Sequence, residues 1–337
     1  MLLVVVSMVA CNDKPKTTEP ATSEDEPITV NSAITMLSDS IAMDSTRADL
    51  YVKRAQAYVA NEQVGAAMVD INKALQLDPN NVDTYLLLAN VYYMLGNESN
   101  ITTTLNKAAE IDPFDSRPLV KLAELNLLQQ NYKLAYAYVD KALTIESYNP
   151  QAYFVKGMYF MTAEQDTANA LKNFQLAYEQ DGNLYDAVEQ ICRIYVAQNP
   201  PFTLDYLRNV QKQFPDHANA RYELALYLQS HGEPEEALSH YDTLLMADPN
   251  NYIVLFNEAY VHFIYMHNNE TALDFFNKAL QINPDYMDAL YNKGRVLEQM
   301  GNYVEAMNVY KQVLEKNTNY PLAIDAINRI QNQAEEE

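Results

Sequence analysis

The chain has no tryptophan, two cysteines, seven glycines, and 23 basic residues against 45 acidic ones. Each shortage removes a class of function. Two cysteines in 337 residues do not make a disulfide framework. Cys11 closes an apolar run and Cys192 sits in an amphipathic segment, so no bridge between them is expected. A net charge of −22 leaves no basic stripe for phosphates, which argues against nucleic acid and against broad attachment to anionic lipid. No apolar run reaches the roughly 20 residues of a membrane-spanning helix. P-loop, dinucleotide-binding and nucleophile-elbow motifs are missing. His217, His231, His240, His262 and His267 show no metal-ligand spacing, so neither metal nor other cofactor is expected. His262 reads as a structural histidine and Cys192 as a buried, inert thiol.

What is present is a period. The tail ALQLDPNN at 74–81 returns as AAEIDPFD at 108–115, ALTIESYN at 142–149, AYEQDGNL at 177–184, VQKQFPDH at 210–217, LLMADPNN at 244–251, ALQINPDY at 279–286 and VLEKNTNY at 313–320. The steps are 34, 34, 35, 33, 34, 35 and 34 residues, the mark of an array of small units. Such an array grows in one dimension and needs no single large core. Since it occupies 48–320, no segment is left for a catalytic domain.

Each unit reads as two helices. In 48–81, Tyr51, Ala55 and Tyr58 form one stripe and Ala67, Ile71 and Ala74 a second, with ANEQVG at 60–65 between them and Pro79 closing the unit. Small residues recur where the two helices would cross: Ala55, Ala89, Ala123, Gly157, Ala225, Ala259 and Gly294. Gly65, Gly96, Gly232 and Gly301 fall in the turns between helices, and the last three suit left-handed caps.

These residues resemble the tetratricopeptide repeat (TPR) family, most closely at 48–81, 82–115, 218–251 and 287–320. The resemblance implies an all-α fold, a right-handed superhelix of about eight helix-turn-helix repeats. The units are 48–81, 82–115, 116–149, 150–184, 185–217, 218–251, 252–286 and 287–320, with a capping helix in 28–47 and another in 321–337. Tyr51, Tyr85 and Tyr153 stand where the family has tryptophan. Units 150–184 and 252–286 carry one extra residue near the inter-helix turn, and 185–217 is one short, with a second helix expected at about 203–213.

The N-terminus differs. Residues 2–10 are apolar apart from Ser7, and 12–27 are rich in Pro, Thr and acid, which suggests an export signal at 1–11 and a disordered tether at 12–27. Met8-Val9-Ala10-Cys11 resembles the lipobox of a bacterial lipoprotein, which would make Cys11 the lipidated residue. Met8 replaces the usual Leu, and no basic residue precedes the run. The expected location is the bacterial cell envelope, lipid-anchored, on the periplasmic or the outer surface; a plain cleaved signal and a secreted soluble protein is the alternative.

By the same resemblance, a concave groove would be lined by the first helices. Its side chains would include Asn90, Tyr93, Met94, Arg117, Lys121, Phe154, Met158, Met161, Arg193, Tyr222, Phe256, Tyr260, Phe263 and Tyr291. An exposed lining so rich in aromatics and Met marks a partner surface. The implied function is a non-enzymatic scaffold or adaptor for a protein or peptide, its oligomeric state open. The alternative is an envelope assembly factor that scaffolds cell-wall or outer-membrane machinery through its convex face or through self-association. The carboxylate clamp of some TPR domains is not reproduced, since Val52, Gln56 and Leu87 occupy its polar positions. Arg117 and Lys121 remain as candidates for an acidic group, beside the simpler reading of solvated charges.

Overall fold

The computed structural model describes residues 30–336. The segments 1–11 and 12–27, and with them Cys11, lie outside the described residues. Among the described residues the protein is all-α, with eighteen α-helices, one five-residue π-helical turn and no strand. The chain divides into two compact units, ending and beginning at Pro113 and Phe114. The first contains α1 (Val30–Met43), the hairpin α2 (Ala48–Ala60) and α3 (Val64–Leu77), and the hairpin α4 (Val82–Met94) and α5 (Glu98–Ile111). The second contains the hairpins α6 (Arg117–Leu128) with α7 (Tyr132–Ile145), α8 (Pro150–Tyr159) with α9 (Thr167–Gln180), and α10 (Tyr185–Gln198) with α11 (Thr203–Gln213). It continues through α12 (Ala218–Ser230) with α13 (Pro234–Ala247), α14 (Tyr252–Ile264) with α15 (Asn269–Ile282), and α16 (Met287–Gln299) with α17 (Tyr303–Lys316), and ends on α18 (Pro321–Glu336).

The repeated tail is a device for leaving one helix and entering the next. In the first copy α3 stops at Leu77, and the carboxylate of Asp78 accepts the backbone N–H of Asn80 at 3.2 Å. Asn81 then caps α4 by accepting the N–H of Thr84 at 2.9 Å, so orphan helix-end donors are satisfied within four residues. The Asp or Asn turn recurs at Asp181–Asn183, Asp248–Asn250, Asn283–Asp285 and Asn317–Asn319. This chemistry is what the sequence period records.

Inside the hairpins, eight residues have a positive φ, one in each inter-helix turn: Glu62, Gly96, Gln130, Gln165, Asn199, Gly232, His267 and Gly301. Gly96, Gly232 and Gly301 hold the left-handed position expected of them. Gly65 does not; it lies inside α3, and Glu62 carries the turn instead. In five hairpins the residue after the left-handed one bonds back five positions, as Gln63 N–H does to Tyr58 C=O at 2.8 Å, which is the Schellman closure. The two longer units reach back six: Asp166 to Phe160 at 2.9 Å and Asn268 to His262 at 2.8 Å. The extra residue is thus absorbed before the turn, in 150–184 as the π-helical turn Phe160–Glu164.

The small crossing residues are buried, and their second-helix counterparts are large. Ala55 shares a core with Ile71, Ala225 with Tyr241 and Ala259 with Phe276. The two glycines have no spare room at all. A Cβ on Gly157 would lie 2.5 Å from Cε1 of Phe174, and one on Gly294 would lie 2.5 Å from Cε1 of Tyr310. In the first unit a buried ion pair adds to this packing. Arg54 donates to both oxygens of Asp70 at 2.7 and 2.8 Å and to Ser38 at 3.0 Å, tying α2 to α3 and to α1.

Gly294→Ala is expected to lower the melting temperature. Overpacking costs about 1–3 kcal/mol against about 1 kcal/mol gained in helix propensity. In a Tyr310→Leu background the same substitution should cost far less. Thermal unfolding followed by circular dichroism checks the comparison.

Candidate functional site

First helices of neighbouring hairpins touch one another, α6 against α8, α10 against α12 and α14 against α16, so in the second unit their side chains gather on one face. Four of the expected aromatic residues form a two-tier arrangement there. Phe154 rests on Phe174 at 5.8 Å between ring centres, Tyr222 on Tyr241 at 6.3 Å, Phe256 on Phe276 at 5.7 Å and Tyr291 on Tyr310 at 5.8 Å. The lower ring of each pair is fully buried and comes from the second helix; the upper ring is half-buried on the first. Aromatic pairs at such separations are favourable beyond the area they bury. Each upper ring therefore has a seat built from the core below it.

Further contacts extend the face. Phe256 meets Tyr260 at 6.2 Å and Tyr286 at 5.0 Å, and Tyr286 meets Tyr252 at 5.3 Å. The Tyr222 hydroxyl accepts a hydrogen bond from Asn257 Nδ2 at 2.9 Å, which links α12 to α14. Burial raises the Tyr222 phenol above its ordinary range, so it stays a neutral donor and acceptor. Met158 and Met161 are half-buried and pack with Phe154 against the Phe174 core.

The cations are engaged locally. Arg117 donates to both oxygens of Asp115, at 3.0 Å to Oδ1 and 2.6 Å to Oδ2. Burial works to raise the Asp115 carboxyl, but the hydrogen bonds from Arg117 outweigh it and hold it below the ordinary range. Lys121 pairs with Glu124 at 2.6 Å and Arg193 with Glu189 at 3.1 Å. Asn90 and Tyr93 are exposed on α4, with Met94, but belong to the first unit. Phe263 corrects an expectation. It is 4% exposed, buried in the α14–α15 core and covered by the Arg295 guanidinium at 5.0 Å from its ring centre. At this end of α14 an arginine from the next hairpin closes over the position.

Of the residues considered for chemistry, Cys192 is buried and three of the histidines lie against aromatic rings. Burial, then Glu223 and Glu189, pushes the Cys192 thiol up to about 12, so it is not a thiolate at neutral pH. His262 stacks on Phe275 at 5.8 Å, His217 on Tyr185 at 4.0 Å and His231 on Tyr227 at 3.8 Å. Among the described residues no three His, Cys, Asp or Glu side chains are placed to hold a metal ion.

Comparison with known proteins agrees with the hairpin architecture. Family models described as TPR repeat or tetratricopeptide repeat match residues 55–96, 204–252 and 264–330. The human (Homo sapiens) DnaJ homolog subfamily C member 3 is 33% identical over 95 residues, which are 28% of this chain and 19% of that protein. Tetratricopeptide repeat protein 37 of Xenopus laevis is 25% identical over 193 residues, 56% of this chain and 12% of that protein. The chain thus spans about a fifth or less of these relatives. The C-terminal part of a TPR repeat-containing protein from Cytophaga hutchinsonii superposes with a TM-score of 0.58 at 18% identity, over 71% of this chain and 98% of that one. The chain carries TPR repeats, and its fold is the all-α hairpin stack of TPR proteins.

Tyr222→Phe and Asn257→Ala are each expected to destabilise the second unit by about 1 kcal/mol. The double variant should lose less than the sum, because the two share one hydrogen bond across α12 and α14. Urea unfolding measures the coupling.

Proposed function

We propose that the chain is a non-enzymatic adaptor that binds a protein or peptide segment on the first-helix face of its second unit. TPR repeats are protein-interaction modules, and the stretches matched here include Tyr222 and Tyr291. One observation carries the reading: four half-buried rings on first helices, each seated on a fully buried ring beneath. Prepositioned rings lose little conformational freedom when a partner covers them, so more of the burial energy appears as affinity. Phe154, Met158, Phe256 and Tyr260 supply apolar contact, the Tyr222 and Tyr291 hydroxyls give polar edges, and Arg193 orients polar groups. Arg117 and Lys121, paired with Asp115 and Glu124, act as a polar rim. Asn90 and Tyr93 offer a smaller patch on the first unit.

The same proposal anchors the chain in the bacterial cell envelope through lipid on Cys11, by the likeness of Met8-Val9-Ala10-Cys11 to a lipobox. The acyl chains of a diacylglyceryl group on the Cys11 sulfur would contribute about 0.8 kcal/mol per buried CH₂, so two or more would hold the protein at a membrane.

A photo-crosslinking residue at Tyr222 or Tyr260 in the native cell should trap a discrete protein partner, while one at Lys141 or Thr144 on α7 should not. Equal trapping at both sets, or none at the first, would count against the reading. Cys11→Ala should move the protein from the membrane to the soluble fraction and abolish labelling by a radioactive fatty acid.

A further inference from the structure

Glu258 lies on α14 between Phe256 and Tyr260, two residues from each, and two residues along a helix turn a side chain to the opposite side. It is 3% exposed, and its Oε2 has no hydrogen-bond partner. Its acidic neighbour is Asp242, sixteen positions earlier on α13 and itself exposed. The other groups around it give little relief. Lys278 on α15 is held by Asp274 at 2.7 Å and sits 4.6 Å from the Phe275 ring centre. His262, one turn further along α14, stacks on that same ring and has its Nδ1 unpartnered.

The array supplies its own control. At the equivalent place three joints closer to the N-terminus, between α7 and α8, stand Asp140 and Lys156, also sixteen apart, as an ion pair at 3.5 Å. One joint thus has a cation facing the carboxylate, and the other has a second carboxyl. A carboxyl as deeply buried as Glu258, with a second acidic group beside it, favours its neutral form, because neither repulsion nor desolvation is relieved.

We propose that the α13–α14 joint is a proton-operated latch, closed while the buried Glu258 carboxyl holds a proton beside Asp242 and loosened when that proton leaves. The helix released is the one that carries Phe256 and Tyr260, so the latch would set the placement of those rings. Burial first, then Asp242, raises the Glu258 carboxyl to about 7, against a smaller opposing pull from Lys278. The shift is upward from the ordinary value of 4.5. Its stabilisation is therefore complete below the unfolded carboxyl's pKa and is lost as pH rises through about 7. His262 acts on the other side. Burial lowers its imidazole below the ordinary 6.5, with Asp242 opposing, so it charges only in more acid solution.

The test follows the melting temperature and the hydrogen exchange of α13 and α14 from about pH 5.5 to about pH 8.5, corrected for intrinsic exchange, in the full chain. In the natural protein, the melting temperature should fall and α14 protection should drop roughly tenfold as pH crosses neutrality. Glu258→Gln should flatten both curves. Glu258→Lys, which copies the Asp140–Lys156 pair, should also flatten them and leave α14 better protected at alkaline pH. Asp242→Asn should move the step toward the ordinary carboxyl range, and it keeps the test open if the Glu258 variants do not fold. Protection and melting temperature that are level across neutral pH in the natural protein, or a step that persists in Glu258→Gln, would overturn the latch. Neither readout needs a partner, so failure here is separable from failure of the adaptor reading.

Discussion

The helix crossing inside each hairpin is the constraint on which the rest depends. In seven of the eight hairpins one side of the crossing is reduced to a hydrogen or a methyl, which leaves room for a larger buried side chain opposite. At Gly157 and Gly294 the facing ring already occupies the space where a Cβ would sit. Interiors this closely filled tolerate little change in volume, which holds each hairpin to one geometry. Repeating the joint needs only local contacts, so the array has no single centre. Each core cluster draws on one hairpin and its immediate neighbours.

The crossing also explains the surface. A ring buried from the second helix offers its upper side to the first helix, and in four hairpins a second ring sits on it. The proposed binding face is therefore the exposed layer of the core. Its rings are held as firmly as core residues while remaining half accessible. A chain so acidic could have met its partners through charge, but the cations on this face are paired with neighbouring carboxylates. Apolar shape is what the face has to offer.

Much of this was legible in the sequence because it repeats. The period gave the hairpins, and Ala and Gly in phase gave the crossings. The resemblance to the repeat family picked out Phe154, Tyr222, Phe256, Tyr260 and Tyr291, and the structure has all five on first helices. The buried tier was missed, although Tyr222 and Tyr241, like Tyr291 and Tyr310, lie nineteen residues apart, a spacing that could have revealed it. Phe263 was misplaced because the rule of positions does not know that Arg295 folds over it. Five of the eight left-handed turn residues are not glycine, so glycine alone did not mark those turns. The Arg54–Asp70 pair joins residues sixteen positions apart in different helices, and no motif announces it.

The stacked phenols have a practical side. Without tryptophan, near-ultraviolet absorbance and emission come almost entirely from tyrosine. Those phenols divide into two populations. Tyr241 and Tyr310, sealed below, are raised by burial well beyond the ordinary range, while exposed Tyr93 shares no such tier. An alkaline titration watched as phenolate absorbance would therefore resolve surface from interior without any added dye. The molecule's own spectrum becomes a gauge of whether its hairpins are closed.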